Sequence, residues 1–440
     1  MFAISWNLTR RCNQHCAHCY MSAFPRADLS GELTTIKCLR VIDEIAEVNP
    51  HVFLILTGGE PLLRKDLFDI AGRASGKGFT VVLGSNGTLL NRRTADRMKE
   101  SGIMGASISL DSVDRRKHDA FRALPGSWDR AIRATRVLKE AGLDFSLHFS
   151  VMPWNTGEIP AVVDLARDLG ARVLNVFFVV RTGRGLGVPD IDARECERVL
   201  RFLARLNHDA EPGRADPLGE GDPWSLSAGK VNDPLVRVRC APHFRRVIYE
   251  IDPCSPNLMN YAHGGCPAGR HYCRIGPAGD VTPCPYIPLS AGRLRERSFG
   301  EIWREAALFQ DFRSAALGGR CGTCEFREIC GGCRCRAYAA TGDYLAEDLA
   351  CSYQPGRYGG CLITLPEEQT FGLEVAFELS WEGASKARLM KVPSFARGMV
   401  VKAVEAFARA KGSNQVTPEL LQEAHASFLK KGGIPPFVTS

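Results

Sequence analysis

From residue 2 to about residue 180 the chain alternates between two patterns. Short apolar runs, rich in β-branched and aromatic residues, are separated by longer stretches whose apolar positions recur at helical spacing. The runs are FAISWNL (2–8), HVFLILT (51–57), FTVVLGS (79–85), GASISLDS (105–112), DFSLHFSVMP (144–153) and RVLNVFFVV (172–180). Between them TTIKCLRVIDEIAEV (34–48), segments near 66–75 and 92–101, WDRAIRATRVLKEAG (128–142) and IPAVVDLARDLG (159–170) read as helices. Strands that are nearly continuous in apolar residues are expected to be buried on both faces of a parallel sheet. Six such units in this length predict an α/β fold, a partial (β/α)6 barrel, where a closed barrel has eight. The distinctive residues fall just after the strands: Cys12–Cys19, Gly58–Glu60, Ser85–Asn86, Asp111 and Arg181–Arg184. That is the carboxyl rim, where parallel α/β folds bind ligands.

Beyond the barrel the composition shifts twice. Residues 206–235 are rich in Pro, Gly and Asp and read as a linker, and a cysteine-dense region follows from 240 to 361. A second linker spans 353–366. From about 370 the cysteines stop and two or three short helices are expected, one starting at Thr417–Pro418 and stopping at Gly432–Gly433. The expected domains are therefore 1–235, 236–360 and 367–440.

The bulk properties narrow the function classes. The 440 residues are 45% hydrophobic with a net charge of +7 spread along the chain. No long uncharged apolar run or export signal appears, so membrane insertion and secretion are not expected and the cytoplasm is. No nucleic-acid module is present and no nucleic-acid partner is expected. The 17 cysteines are an odd number. In a chain without an export signal, clustered cysteines bind metal more often than they pair as disulfides.

Three of them stand at positions 12, 16 and 19 in TRRCNQHCAHCY. From spacing alone, a zinc site completed by His15 or His18 stays open beside a [4Fe–4S] cluster held by three thiolates. In the cluster reading one iron has no protein ligand. An open coordination position is where metal chemistry takes place.

Placed directly after a first barrel strand, this C-x3-C-x2-C spacing resembles the radical S-adenosylmethionine (SAM) family. The resemblance implies that SAM chelates the open iron of Cys12, Cys16 and Cys19 and yields a 5′-deoxyadenosyl radical. It also implies SAM contacts from Gly58, Gly59 and Glu60 in LTGGEP, from Ser85 and Asn86 in GSNGT, and from Ser109 and Asp111 in SISLDS. Arg122 would suit the SAM carboxylate, and His18 would pack near the adenine. No acid–base residue is assigned.

The second group, Cys266, Cys273, Cys284, Cys321, Cys324, Cys330, Cys333 and Cys351, resembles the SPASM extension of the same enzymes. That extension binds one or two auxiliary [4Fe–4S] clusters. By resemblance Cys321, Cys324, Cys330 and Cys351 hold one cluster. Cys266, Cys284 and Cys333, with Cys273, hold the other. The last gap, between Cys330 and Cys333, is one residue shorter than the family's. A two-zinc arrangement of these cysteines stays open. Cys38 and Cys196 are expected to be packing residues. Cys240, Cys254, Cys335 and Cys361 are left without a role.

From residue 2 to about 357, stretches such as FFVVRTGRG, GCPAGRHYCRIGPAGDVTPCPYIPLSAG and CGGCRCRAYAATGDYLAEDLACSYQP resemble the heme b synthases of the siroheme-dependent pathway. Residues 372–432 resemble the small module of light-independent protochlorophyllide reductase. Both imply a tetrapyrrole substrate, and the heme b synthase resemblance also implies oxidative loss of propionate carboxyls and an external one-electron donor such as flavodoxin or ferredoxin. The extra module and Cys335 depart from the synthase pattern. Arg10, Arg11, Arg181, Arg184 and Arg270 are candidate propionate partners, and His148, His263 and His271 are candidate iron ligands. The alternatives are maturation of a peptide, protein or other cofactor, and a non-catalytic iron–sulfur electron carrier. A barrel strand that begins at residue 2 counts against a preceding peptide-recognition domain.

Overall fold

A computed structural model of the chain describes residues 2–50, 52–209, 234–255, 258, 265–365, 377–391 and 394–430. The six expected strands form as β1 (Phe2–Asn7), β2 (Val52–Thr57), β3 (Thr80–Ser85), β4 (Ile103–Ser109), β5 (Asp144–Val151) and β6 (Val173–Phe178). Each pairs in parallel with the next, from Phe2 opposite Val52 to Val151 opposite Phe178. Helices α1 (Thr35–Val48), α2 (Leu67–Gly76), α3 (Arg92–Glu100), α4 (Arg115–Arg122), α5 (Ser127–Glu140) and α6 (Ile159–Leu169) connect them. Their ends follow local rules. The Thr34 hydroxyl accepts from Lys37 N to start α1, and Asn91 and Thr94 cap each other at the start of α3.

Two features go beyond the sequence reading. A seventh parallel strand, β7 (Leu235–Arg239), extends the sheet past β6 and follows α7 (Ala193–Asp209). At the other edge β8 (Tyr272–Ile275) pairs in parallel with β1, and the antiparallel β9 (Asp280–Thr282) and β10 (Gly292–Arg293) follow. The cysteine-rich region therefore shares the barrel's sheet, whose order is β10-β9-β8-β1-β2-β3-β4-β5-β6-β7. The described residues of 2–251 and 264–364 form one compact unit. Residues 210–233, most of the first linker, lie outside the described residues, as do His263 and Gly432–Gly433.

Burial also differs from expectation. In β2 Val52, Leu54 and Leu56 are buried while Phe53, Ile55 and Thr57 are half-buried, and β5 alternates in the same way. One face packs under the helices, each side chain contributing roughly 1.5–3 kcal/mol. The other lines a lumen that an incomplete barrel leaves accessible.

The second compact unit holds the described residues of 252–263 and 365–440. Helices at Gly383–Lys391, Ser394–Ala410 and Pro418–Lys430 enclose Trp381, Leu389, Val401, Val404, Val416 and Leu421. Thr417 caps the last helix through Leu420 N, as the sequence indicates. A buried Glu405 carboxylate accepts from Leu379 N and from the Trp381 indole.

Candidate active site

The chain that leaves β1 is pinned from three sides. From β2, Gly59 N donates to Thr9 O at 2.7 Å and Glu60 N to Arg11 O at 2.8 Å. The contact is so close that a Cβ on Gly59 would stand 2.2 Å from Arg11 O, and one on Gly58 (φ +148°) 2.7 Å from Thr9 O. These glycines let two rim backbones touch. From α4, Arg122 O and Phe121 O accept from His15 N and Ala17 N. From the loop after β6, Arg184 donates through Nε to Cys16 O at 2.9 Å and through Nη2 to Ala23 O at 2.8 Å. Arg184 thus secures the cysteine loop and is engaged there, unlike the free propionate partner that its position suggests.

So held, the Cys12, Cys16 and Cys19 thiols lie within electrostatic reach of one another. Gln14 N points at the Cys12 sulfur and Ala23 N at the Cys19 sulfur, each at 3.4 Å. The Arg122 guanidinium lies 3.9 Å from Cys16 Sγ. Burial, the largest influence, pushes the Cys12 thiol up to about 12. A thiolate there needs a cationic partner, and N–H groups aimed at sulfur are the setting of an iron–sulfur cluster. Among the described residues no three His, Cys, Asp or Glu side chains converge on one metal ion. The three thiols and their donors fit a multi-iron cluster.

The neighbouring rim residues are organised around two buried carboxylates. Glu60 accepts from Ser85 Oγ at 2.9 Å and from Asn86 N at 2.9 Å. Burial pushes Glu60 up to about 7 against these hydrogen bonds. The Asn86 side-chain amide reaches Asn13 Oδ1 at 2.9 Å, with Cys12 Sγ 3.8 Å away. Gly58, Gly59, Glu60, Ser85 and Asn86 are thus brought together beside the cluster ligands. Glu60 ties β2 to β3 through these contacts. Asp111 is fully buried and takes Arg122 Nη2 at 2.7 Å. Burial alone would raise Asp111, but Arg122, His18 and His118 hold it at about 2. The His18 ring stacks on Phe121 with centroids 4.5 Å apart. Ser109, half-buried at the end of β4, pairs with His148 of β5. Phe121 and Gln14 carry no spacing signal; their place emerges only once α4 folds onto the cysteine loop.

The remaining cysteines gather in two nests. Cys321, Cys324, Cys330 and Cys351 line one pocket, together with His243, Arg246 and Asp348. The second nest brings Cys266 and Cys284 against the buried Cys333 and Cys335, and adds Cys240 from the end of β7. Cys273 is not brought to either nest. It is fully buried in β8 opposite Ile4, and the charged group facing it is Arg313. The strand pairing of β8 with β1 fixes it there. Asp348 lies between the nests: its Oδ2 accepts from Cys333 N at 2.8 Å and faces Arg336 Nη1 at 3.4 Å. Cys38 and Cys196 are buried, the former on α1 and the latter 3.4 Å from His243 Nε2. All the described cysteines are free thiols.

An open parallel barrel with three thiols at its rim and two further cysteine nests in the same compact unit defines an iron–sulfur enzyme of the radical type. Family comparisons agree: the Radical SAM superfamily matches residues 6–166, the SPASM iron–sulfur cluster-binding domain 266–334, and the proto-chlorophyllide reductase 57 kD subunit 381–425. The AdoMet-dependent heme synthase of Methanosarcina barkeri is 36% identical over 80% of this chain and 97% of its own length. The pre-heme d1 synthase of Dinoroseobacter shibae is 33% identical over 79% and 87%. SuiB of Streptococcus suis, solved with SAM bound, shares the fold with a TM-score of 0.61 at 15% identity, over 80% of this chain and 77% of that one. The chain belongs to the SPASM-bearing radical SAM enzymes, the family that includes the AdoMet-dependent heme synthases. Its cofactors are SAM and [4Fe–4S] clusters. Among the described residues no helix is long and apolar enough to cross a membrane.

Proposed function

We propose that this enzyme modifies a tetrapyrrole oxidatively, converting propionate side chains of an iron porphyrin to vinyl groups. The observation that carries the reading is the 36% identity that spans nearly the whole of a relative named as a heme synthase. The likeness of residues 381–425 to a protochlorophyllide reductase subunit supports the same substrate class. Cys12, Cys16 and Cys19 would hold the cluster that binds SAM, and with one electron from a donor such as flavodoxin or ferredoxin that centre would supply a 5′-deoxyadenosyl radical. The propionate then loses a β-hydrogen atom, carbon dioxide and one electron, leaving a vinyl group.

The chain's own residues suit that work. Arg122 and Asp111 form a buried, charge-compensated support beside Cys16. On the lumen side His148 has Arg239, Arg122 and Asp111 as its charged neighbours, and burial lowers it to about 3, leaving it neutral. Arg239 is held by Asn175 Oδ1 at 2.9 Å and has further donors to offer a propionate. The Cys240 nest begins at the next residue, which supports an electron acceptor close to a carboxylate bound by Arg239.

The test is an anaerobic reaction of reconstituted protein with SAM, reductant and iron–coproporphyrin III, followed by mass spectrometry. Loss of carbon dioxide and two hydrogens per propionate is expected. Release of 5′-deoxyadenosine with an unchanged porphyrin would direct the search to another tetrapyrrole or a peptide. No 5′-deoxyadenosine at all would leave an electron carrier.

A further inference from the structure

We propose that Cys240 is the fourth thiolate of the auxiliary cluster held by Cys266, Cys284 and Cys333. It would supply the ligand that the SPASM resemblance attributes to Cys273. The inference concerns the SPASM cluster itself and stands whether or not the substrate is a tetrapyrrole.

Cys240, like Cys266 and Cys284, packs against the buried group that contains Cys333. Those three are the thiols its own charge would meet. Cys335 lies in this nest as well, fully buried on the helix two residues past Cys333, with Cys284 the group that most perturbs it. Cys240 comes to the nest from a separate element, the end of β7.

The backbone gives an independent reason. Among the described residues three non-glycine positions have positive φ: Ser22, Ala123 and Cys240, the last at +62°. A left-handed conformation strains an L-residue, whose Cβ then crowds the following carbonyl. Ala123 is the left-handed end of α4, and Ser22 closes a turn onto Cys19 O. Cys240 lies between β7 and a turn, at a site where glycine would be free of that strain. A half-buried packing cysteine gives no reason to keep it, whereas a sulfur aimed at metal does. Cys273 has the opposite setting, fully buried in a paired strand beside Arg313. Reaching the nest would cost the β8–β1 pairing.

The test uses full-length protein in which Cys12, Cys16 and Cys19 are all alanine, so that the remaining iron is auxiliary. Iron and sulfide per chain and the EPR spectra of reduced and oxidised samples are measured after anaerobic reconstitution. The parent is expected to hold about eight iron atoms in two four-iron clusters. Adding Cys240→Gly, which suits the left-handed backbone, is expected to remove about four of them or convert that cluster to a [3Fe–4S] form with its own EPR signal. Cys273→Ala is expected to keep the parent's iron and spectrum. Cys240→Ser, close in size, serves if the glycine variant is insoluble, and changed g values are then expected. The proposal is overturned if Cys240→Gly, or Cys240→Ser in its stead, retains the parent's iron and spectrum. It is equally overturned if Cys273→Ala loses the cluster, or if the parent holds only about four irons.

Discussion

Arg122 grips Asp111 with two nitrogens, Nε at 2.9 Å and Nη2 at 2.7 Å from the same carboxylate oxygen, while its third nitrogen turns toward Cys16. The pair is almost wholly buried, with side-chain exposures of 7% and 0%. Removing one partner strands a charge next to the cluster loop.

Asp111→Asn is therefore expected to cost about 3–5 kcal/mol in unfolding free energy, and to weaken SAM binding with it. Denaturant unfolding and equilibrium dialysis measure the two. The pH dependence has a defined sign. Folded Asp111 titrates at about 2, below the ordinary carboxylate value of about 3.9. Its stabilisation is complete above that ordinary value and fades as pH falls through about 2. The gap between wild type and variant should close over that interval; a gap that persists in acid would point to lost packing.

Gly59→Ala puts a methyl group 2.2 Å from Arg11 O, backbone against backbone. The cysteine loop must move. The N-terminal cluster should be lost or bound at least ~10-fold more weakly, while both auxiliary clusters persist. Iron counts and EPR of the reduced protein distinguish this from general misfolding, in which all clusters would go.

Asp348 sits between the two auxiliary nests and holds Cys333 N. Burial alone would raise its carboxyl, but Arg336 and His243 keep it below the usual range, so it is an anion at neutral pH. A fixed negative charge disfavours an added electron. Asp348→Asn should raise the auxiliary potentials by roughly 60 mV, a tenfold change in a one-electron equilibrium. An EPR-monitored redox titration reads the shift, and no movement would mean that solvent screens the charge.

Arg239→Leu removes the guanidinium beside His148. A charge-assisted hydrogen bond contributes ~1.5–3 kcal/mol, so affinity for a propionate-bearing porphyrin should fall roughly 10- to 150-fold. SAM cleavage without substrate should be unchanged. Porphyrin absorbance titration gives the affinity, and an unaltered value would place the carboxylate elsewhere.

The barrel is legible because its strands are apolar runs of the right length, and the rim because its residues follow those strands at once. Where the pattern is broken, the reading fails. β7 reads LVRVR, its apolar alternation interrupted by Arg237 and Arg239 and pressed against the linker, so it goes unseen. Cys240 goes with it. The rule that found Cys12 and Asp111, a distinctive residue just past a strand, applies to Cys240 once β7 is recognised. The turn GPAGD between YCRI and DVT is a hairpin signal, yet cysteine spacing draws attention to Cys273 as a ligand instead. The Arg122–Asp111 and Glu60–Ser85 contacts join residues far apart in sequence, and no periodicity encodes them.

The pairing of β8 with β1 has a consequence for electron traffic. A carrier on a tether can swing between donor and acceptor, and its transfer rate then follows its motion. Here the strand that leads into Cys12 is zipped to the strand that leads toward Cys284, so the N-terminal thiols and the Cys284 nest hang from one sheet. Centres spaced by strand pairing would leave their potentials as the means of directing flow.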